Sequence, residues 1–141
     1  MNRCIICDLD GTLCLFDRKK KSPYNRDFEN DECSEPVKFL LESYKQQNIE
    51  AEIFFLSGRS DEHREKTEEF LAKHLDESYL LIMRKKGDDR KDVIVKEEMY
   101  NNYINNKYQI DFVIDDRLQV CRLWYSLGLF VFNVNQGLIE F

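Results

Sequence analysis

The sequence predicts a single α/β domain in which a mainly parallel sheet lies between two layers of helices. Three observations support this fold class. The chain has 141 residues, enough for one domain with its own hydrophobic core. Strand-like and helix-like segments alternate along it, which favours parallel strands joined by crossover helices. The apolar run at residues 53–56 lacks polar alternation, as is typical of a strand buried on both faces.

Five strands are predicted from apolar runs that end at glycine or polar residues. They span residues 3–8, 51–57, 79–83, 110–115 and 129–134. We expect them to form the mainly parallel sheet of a Rossmann-like three-layer sandwich, because a segment of helical length separates each from the next. Ligands of such sheets bind outside the carboxyl ends of the strands.

Four helices are predicted between the strands, over residues 34–47, 60–74, 91–106 and 116–127. The first is well defined, because Ser34 can cap its N-terminus and its apolar residues recur at helical spacing. Ser60 or Asp61 can cap the second. Only residues 17–33 break the alternation, as a polar loop too short for a large cap domain. We therefore expect a single domain over residues 1–141 with a minimal cap.

The net charge of −6 argues against broad nucleic-acid binding, because phosphate backbones select basic surfaces. The charge is unevenly distributed, however. Residues 18–21 and 84–91 together hold nine basic and two acidic residues, whereas the rest of the chain holds 12 basic and 25 acidic residues. Both basic segments lie in loops predicted to border the carboxyl ends of the strands. This pattern favours a protein that holds one phosphorylated end and repels the remainder of a strand.

We expect no targeting or membrane segment in this sequence. Asp8 and Asp10 interrupt the apolar N-terminus, and the longest charge-free run, residues 123–139, is too polar and too short to span a bilayer. The five cysteines include a C-x-x-C pair, Cys4 and Cys7, but no second ligand pair that would complete a zinc site. We expect both to be small buried hydrophobes, and the protein to be cytoplasmic, with no membrane association.

The first predicted strand ends in Asp8-Leu9-Asp10-Gly11-Thr12, which places two carboxylates one residue apart. One carboxylate can attack a phosphorus atom while the other donates a proton to the leaving oxygen. Gly11 permits a sharp turn, and the Thr12 hydroxyl and neighbouring amides can bind phosphate oxygens. The same residues also fit an ordinary Asx turn, so this motif alone does not establish chemistry.

The second and fourth predicted strands also end in polar motifs. Ser57-Gly58-Arg59 combines a hydroxyl, a flexible residue and a fixed cation. Asp115 and Asp116 are adjacent acids after an apolar run, and carboxylate oxygens are ligands that Mg²⁺ prefers. Each motif alone also fits a structural role, a strand-to-helix connection in the first case and a helix cap in the second.

The loop of residues 87–91 completes the set of polar motifs. It can supply Lys91 to neutralise a phosphate, held by a neighbouring acid, although Asp88 or Asp89 could equally cap the following helix. All four motifs fall at the carboxyl ends of predicted strands or on adjoining loops, and together they favour a phosphate site.

The ordered set D-x-D-G-T, S-G-R, Lys and D-D resembles the four-motif signature of the haloacid dehalogenase-like (HAD) phosphohydrolases. More narrowly, the chain is similar to the 3′-phosphatase domain of bacteriophage polynucleotide kinase–phosphatase. This likeness includes the run from Gly87 to Asp92 that continues through Val95-Lys96-Glu97-Glu98, and residues 114–120. The resemblance spans nearly the whole chain and implies a HAD-like fold.

The resemblance also implies roles for the motif residues. Asp8 would be the nucleophile that forms an aspartyl-phosphate. Asp10 would protonate the departing 3′-oxygen and then activate the water that hydrolyses the intermediate. The remaining implied catalytic residues bind or support the phosphoryl group and substrate: Ser57 and Lys91 on the phosphoryl oxygens, Asp88 positioning Lys91, and Arg59 on phosphate or substrate.

Substrate and metal contacts are implied as well. Thr12 and Gly58 would contact the phosphate, and Arg18 would take the place of an arginine that the family has shortly after its first motif, with Lys21 as the alternative. Mg²⁺ would be held by the main-chain carbonyl of Asp10 and by the carboxylates of Asp8, Asp115 and Asp116.

We therefore predict an Mg²⁺-dependent phosphatase that removes a 3′-phosphate from DNA or RNA ends through an aspartyl-phosphate, a polynucleotide 3′-phosphatase of nucleic-acid repair. The alternatives are a small-molecule or nucleotide phosphatase of the same superfamily, and a catalytically silent binding module. None of the five glycines is followed by lysine, so this chain lacks the kinase motif G-x-x-x-x-G-K-[ST] and its ATP site. A homodimer and a separate kinase or ligase partner are both compatible with the sequence.

Overall fold

The computed structural model describes residues 1–16 and 28–141 of the chain. Its strands are β1 (Asn2–Cys7), β2 (Cys14–Leu15), β3 (Glu32–Cys33), β4 (Glu52–Ser60), β5 (Leu80–Arg84), β6 (Tyr108–Asp115) and β7 (Val131–Asn133). Its α-helices are α1 (Glu35–Gln47), α2 (Arg64–His74), α3 (Asp92–Tyr103) and α4 (Leu118–Ser126). Each predicted long strand and each predicted helix is present, with ends shifted by a few residues. No helix among the described residues is long and apolar enough to cross a membrane.

The five long strands form one parallel sheet in the order β5-β4-β1-β6-β7. The chain moves outward from β1 to β4 and β5, then returns to the other side of β1 with β6 and β7. The direction of winding therefore reverses between β1 and β6. In open α/β sheets, the crevice outside the carboxyl ends of the strands at such a reversal is where ligands bind.

Helices cover both faces of this sheet, which confirms the three-layer architecture. On one face, α1 and α2 contribute Leu41 and Phe70 to a core cluster. On the other face, α3 and α4 contribute Met99 and Trp124 to a second cluster. Apolar side chains of β1 and β4 enter both clusters, because successive residues of a strand point to opposite faces. The central strands therefore carry the unbroken apolar runs seen in the sequence.

The two cysteines of the C-x-x-C pair lie within β1 and are fully buried thiols. Cys4 packs in one core cluster and Cys7 in the other. Burial raises the pKa of Cys4 to about 12. The prediction of two small core hydrophobes is confirmed.

The connection between β1 and α1 contains two short strands, β2 near its start and β3 near its end. These strands pair in antiparallel fashion, with Cys14 opposite Cys33. Residues 17–27, most of the predicted polar loop, lie outside the described residues. After β3, the Ser34 hydroxyl accepts a hydrogen bond from the Val37 amide at 3.4 Å, so Ser34 caps α1 as predicted. The pairing of β2 with β3 and this cap place the first residues of α1 beside the turn that follows β1.

Candidate active site

The turn after β1 places the Asp8 carboxylate at the carboxyl end of the sheet. The amides of Thr12, Leu13 and Cys14 all donate to the Leu9 carbonyl, which closes the chain into a tight turn. Within this turn the Thr12 hydroxyl donates to Asp8 Oδ2 at 3.0 Å. Asp8 and Thr12 are both buried. The turn therefore holds a buried carboxylate in a fixed orientation, as a nucleophile requires.

Gly11 is needed in this turn for two reasons. Its φ of +84° lies in the left-handed region, which side chains other than glycine rarely adopt. A Cβ atom at this position would also overlap the Asp116 carboxylate. Gly11 thus lets the turn approach the end of β6 closely.

Three carboxylates meet where β1 and β6 end. One oxygen of each of Asp8, Asp115 and Asp116 lies within 4.8 Å of the others, and all three residues are buried. Asp115 is held by the Trp124 indole, which donates to its Oδ2 at 3.1 Å, and by the Asp116 amide, which donates to its Oδ1 at 2.9 Å. Burial raises the pKa of Asp8 well above its usual range; the Lys96 ammonium opposes this rise, and repulsion from the other two carboxylates adds to it.

This donor set fits a hard divalent cation such as Mg²⁺. Clustered carboxylate oxygens are the ligands that Mg²⁺ prefers, and their mutual repulsion is what a bound cation would relieve. Asp8, Asp115 and Asp116, which are three of the four predicted ligands, would hold the ion. The Asp10 carboxylate lies outside this cluster, and the predicted ligation through the Asp10 carbonyl stays a prediction.

The lysine at the carboxylate cluster is Lys96, and the prediction of Lys91 for this position needs correction. Lys96 Nζ donates to Asp8 Oδ1 at 2.6 Å and lies 3.5 Å from Asp115 Oδ2. Its side chain is only 2% exposed. Burial alone would lower the pKa of Lys96, but the two carboxylates outweigh this effect and raise it, so Lys96 stays charged. Lys91 is exposed and occupies the N-cap position of α3, a full turn away from Lys96.

Asp88 also has a different partner from the one predicted. Instead of supporting Lys91, its carboxylate accepts two hydrogen bonds from the Arg90 guanidinium, at 3.0 and 2.8 Å. These bonds hold the pKa of Asp88 well below its usual range. Arg90 in turn binds Glu98 on α3. Asp88 thus orders the β5–α3 loop at the edge of the cleft.

Arg59, at the end of β4, binds the second carboxylate of the first motif. Its Nη2 donates to Asp10 Oδ1 at 2.5 Å and its Nε to Asp10 Oδ2 at 3.3 Å. A third bond runs from Arg59 Nη1 to the Thr67 hydroxyl at 2.7 Å, and the guanidinium carbon lies 3.9 Å from the centre of the Phe28 ring. The side chain expected on phosphate or substrate is therefore engaged with Asp10, and it fixes how that carboxylate is oriented.

Ser57 and Gly58 precede Arg59 on β4. Ser57 is buried, and its hydroxyl accepts a hydrogen bond from the Arg59 amide at 3.0 Å. A Cβ atom on Gly58 would overlap the Asp92 carboxylate. A glycine at this position therefore lets β4 and the start of α3 lie in direct contact.

Asp92 is a site residue that the predictions missed. It begins α3, one turn before Lys96, and its carboxylate accepts from Arg84 Nη2 at 2.8 Å and from Arg117 Nη1 at 3.2 Å. The sequence held a signal for Lys96, which falls beside Val95, Met99 and Tyr100 on the apolar face of the same helix. A lysine on such a face is a candidate buried cation.

Several of these groups line one cleft with a volume of about 850 Å³. Asp8, Asp10, Arg59 and Lys96 all line it. His63, which was not selected from the sequence, lies at its edge and packs against Phe28, with the two rings tilted by 48° and their centres 4.8 Å apart. Arg18 and its alternative Lys21 lie outside the described residues, so their predicted substrate contact stays a prediction.

Residues 2–139 match the family model described as the polynucleotide kinase PNKP phosphatase domain. The chain belongs to this family. The match confirms the resemblance found in the sequence and makes the chain a HAD-type phosphatase domain, and hence a hydrolase.

Known relatives of this PNKP phosphatase domain are longer proteins. It is 36% identical over 141 residues to a protein of Autographa californica nuclear polyhedrosis virus named "Putative bifunctional polynucleotide kinase/RNA ligase", and the match covers 99% of this chain but 20% of the viral protein. A solved structure titled "Structure of the Pnkp1/Rnl/Hen1 RNA repair complex" contains a chain that is 42% identical, with a TM-score of 0.87. That match covers 96% of this chain and 43% of the other. The PNKP phosphatase domain therefore spans less than half the length of either relative.

A more distant neighbour supports the fold alone. The HAD domain of the effector protein Lem4 from Legionella pneumophila superposes with a TM-score of 0.61 at 16% identity, covering 99% of this chain and 88% of that chain. The HAD-like fold predicted from the sequence is confirmed.

Proposed function

We propose that this PNKP phosphatase domain removes the terminal 3′-phosphate from DNA or RNA ends through an aspartyl-phosphate on Asp8. The observation that carries the proposal is the joint placement of Asp8, Asp10 and Lys96 around one cleft at the carboxyl end of the sheet. Phosphoryl transfer needs mainly positioning and charge neutralisation, and these residues supply both.

In the first step, a carboxylate oxygen of Asp8 attacks the phosphorus atom and the bond from phosphorus to the 3′-oxygen breaks. Asp10 donates a proton to the departing 3′-oxygen, so a 3′-hydroxyl leaves. Thr12 and Lys96 each bind one oxygen of the Asp8 carboxylate, at 3.0 and 2.6 Å, and hold it for attack.

In the second step, Asp10 takes a proton from a water molecule. The resulting hydroxide attacks phosphorus, the bond between phosphorus and Asp8 breaks, and inorganic phosphate is released with the carboxylate restored. Arg59 binds both oxygens of Asp10 and keeps it in one orientation through both proton transfers. Mg²⁺ held by the carboxylate cluster would neutralise part of the substrate's negative charge when bound.

The choice of a nucleic-acid end over a small molecule is supported by the family and by its relatives. The family description names polynucleotide kinase, and one relative's structure is titled as an RNA repair complex. The 141 residues lack a G-x-x-x-x-G-K-[ST] motif. We therefore propose that any kinase or ligase step that accompanies this phosphatase is carried out by a separate domain or partner protein.

The experiment compares three substrates: an oligonucleotide with a 3′-phosphate, the same oligonucleotide with a 5′-phosphate, and the nucleoside 3′-monophosphate that corresponds to the 3′-terminal residue of the oligonucleotide. We expect phosphate release with the highest kcat/KM from the 3′-phosphorylated oligonucleotide. Asp8→Asn should abolish release, whereas the exposed control Asp76→Asn should not change it. An equal or higher kcat/KM for the mononucleotide would instead support the small-molecule alternative.

A further inference from the structure

The Arg84 guanidinium, at the end of β5, makes four hydrogen bonds to three different segments of the chain. Its Nε donates to the Gly58 carbonyl at 2.7 Å. Its Nη1 donates to the carbonyls of Asp88 and Arg90, at 3.1 and 2.6 Å. Its Nη2 donates to Asp92 Oδ1 at 2.8 Å. Four of its five N–H groups are thus committed to the protein.

These bonds occur where the sheet itself stops joining the strands. The pairing of β4 with β5 is regular up to Ser57 and Met83, and then its register shifts before Ser60 pairs with Arg84. The Gly58 carbonyl lies within this irregular stretch, where Arg84 Nε binds it. The side chain therefore ties down the end of β4 at the point where ladder hydrogen bonds are interrupted.

Two of the segments that Arg84 joins carry residues that line the cleft. The end of β4 carries Arg59, which binds Asp10. Asp92 is the first residue of α3, and Lys96, which binds Asp8, lies one turn further along the same helix. The distance and angle between Arg59 and Lys96 depend on how the end of β4 is held against the start of α3.

We infer that Arg84 is a positioning residue that holds the Ser57-Gly58-Arg59 segment and the first turn of α3 in one arrangement. In this arrangement Arg59, which binds Asp10, and Lys96, which binds Asp8, keep the two carboxylates directed at the same phosphoryl group. The inference rests on the proposed phosphatase function. Its physical basis is the planar guanidinium, which binds groups in several directions at once from a side chain that is 15% exposed. With a single N–H group left, Arg84 is poorly equipped to bind a phosphate by a two-point contact.

The test uses two variants with the control Arg122→Ala. Arg122 carries the same functional group on α4, is exposed, and binds the exposed Glu140 carboxylate outside the cleft. For Arg84→Ala we expect kcat to fall by about 10- to 100-fold, because displacement of a reacting group by about 1 Å costs up to that factor, while KM changes little. Arg84→Lys should not restore kcat, since one ammonium cannot bind groups in all these directions. Arg122→Ala should retain nearly full activity.

Chemical rescue separates positioning from a general loss of folding. Added methylguanidinium should recover part of kcat in Arg84→Ala and leave kcat of the wild type and of Arg122→Ala unchanged. Thermal melting of each variant identifies the temperature at which all are folded, and Arg84→Gln replaces the alanine variant if the latter does not fold. A kcat within about threefold of wild type, or a loss confined to KM of the oligonucleotide, would overturn the inference. A wild type that releases phosphate from none of the substrates would instead refute the proposed function.

Discussion

Replacement of Lys96 by methionine is the perturbation for which the structure allows the most detailed expectation. Methionine keeps much of the side-chain volume and removes the ammonium group. That group lies 2.6 Å from Asp8 Oδ1 and 3.5 Å from Asp115 Oδ2, and the side chain is 2% exposed. After the substitution, three buried carboxylates face one another without the cation that now balances them.

Removing one partner from a buried ion pair destabilises a protein by about 3–5 kcal/mol, because the other charge stays buried and uncompensated. For a chain of this size, such a loss lowers the melting temperature by about 10–20 °C. Activity should fall by about 10²- to 10³-fold, the range observed when one electrostatic contact to a developing charge is removed. Lys91→Met is the matched control, and because Lys91 is exposed both quantities should stay close to wild type.

The assay combines thermal melting with phosphate release from the 3′-phosphorylated oligonucleotide, each with and without MgCl₂. Because Lys96→Met leaves the carboxylate cluster more negative, Mg²⁺ should raise its melting temperature more than that of the wild type. Two results would refute the assignment of Lys96 as the buried cation of the site. One is a Lys96→Met protein with the melting temperature of the wild type. The other is a Lys91→Met protein that loses activity while Lys96→Met keeps it.

Three other predictions follow from the same structure. Gly58→Ala should lower kcat by about tenfold or more, because the added methyl group would displace the Asp92 carboxylate; wild-type kcat would show that α3 tolerates the shift. Burial opposes ionisation of Asp111, but hydrogen bonds from Arg3 and Tyr44 outweigh it and lower the pKa of Asp111. Its stabilising effect is therefore full above the ordinary aspartate pKa of about 3.9 and is lost as the pH falls through the lowered folded value. Asp111→Asn should thus cost about 1 kcal/mol of unfolding free energy at pH 7, and denaturant titrations should show this difference narrowing below about pH 4; a constant difference would contradict the assignment. Chelation with EDTA should stop phosphate release and MgCl₂ should restore it, whereas undiminished turnover in EDTA would contradict a metal at the carboxylate cluster.

Local patterns were sufficient to predict the architecture and the strand-end motifs. The unbroken apolar run of β4 and the alternation of strands with helices led directly to the parallel sheet, and the position of Asp8 and Asp115 at strand ends brought them together in the crevice. These relations follow from chain periodicity and from the geometry of parallel sheets.

The partners of the charged side chains were less predictable. Arg59 binds Asp10 across 49 residues of sequence, and Arg84 binds Gly58 across 26. Such pairs depend on how loops from different strands meet, which no local pattern encodes. The choice of Lys91 over Lys96 was an error of a different kind, because a local pattern could have prevented it. Helical periodicity places Lys96 on the buried face of α3 and Lys91 before the helix begins.

Capture of the covalent intermediate tests the proposed mechanism most directly. The domain would be mixed in excess with an oligonucleotide that carries a radiolabelled 3′-phosphate, quenched in acid within one turnover, and digested for peptide mapping. We expect transient, hydroxylamine-labile label on the peptide that contains Asp8, together with an oligonucleotide that ends in a 3′-hydroxyl, and no label in Asp8→Asn. Release of labelled phosphate by the wild type with no label on protein at any quench time, or label on a residue other than Asp8, would contradict Asp8 as the nucleophile.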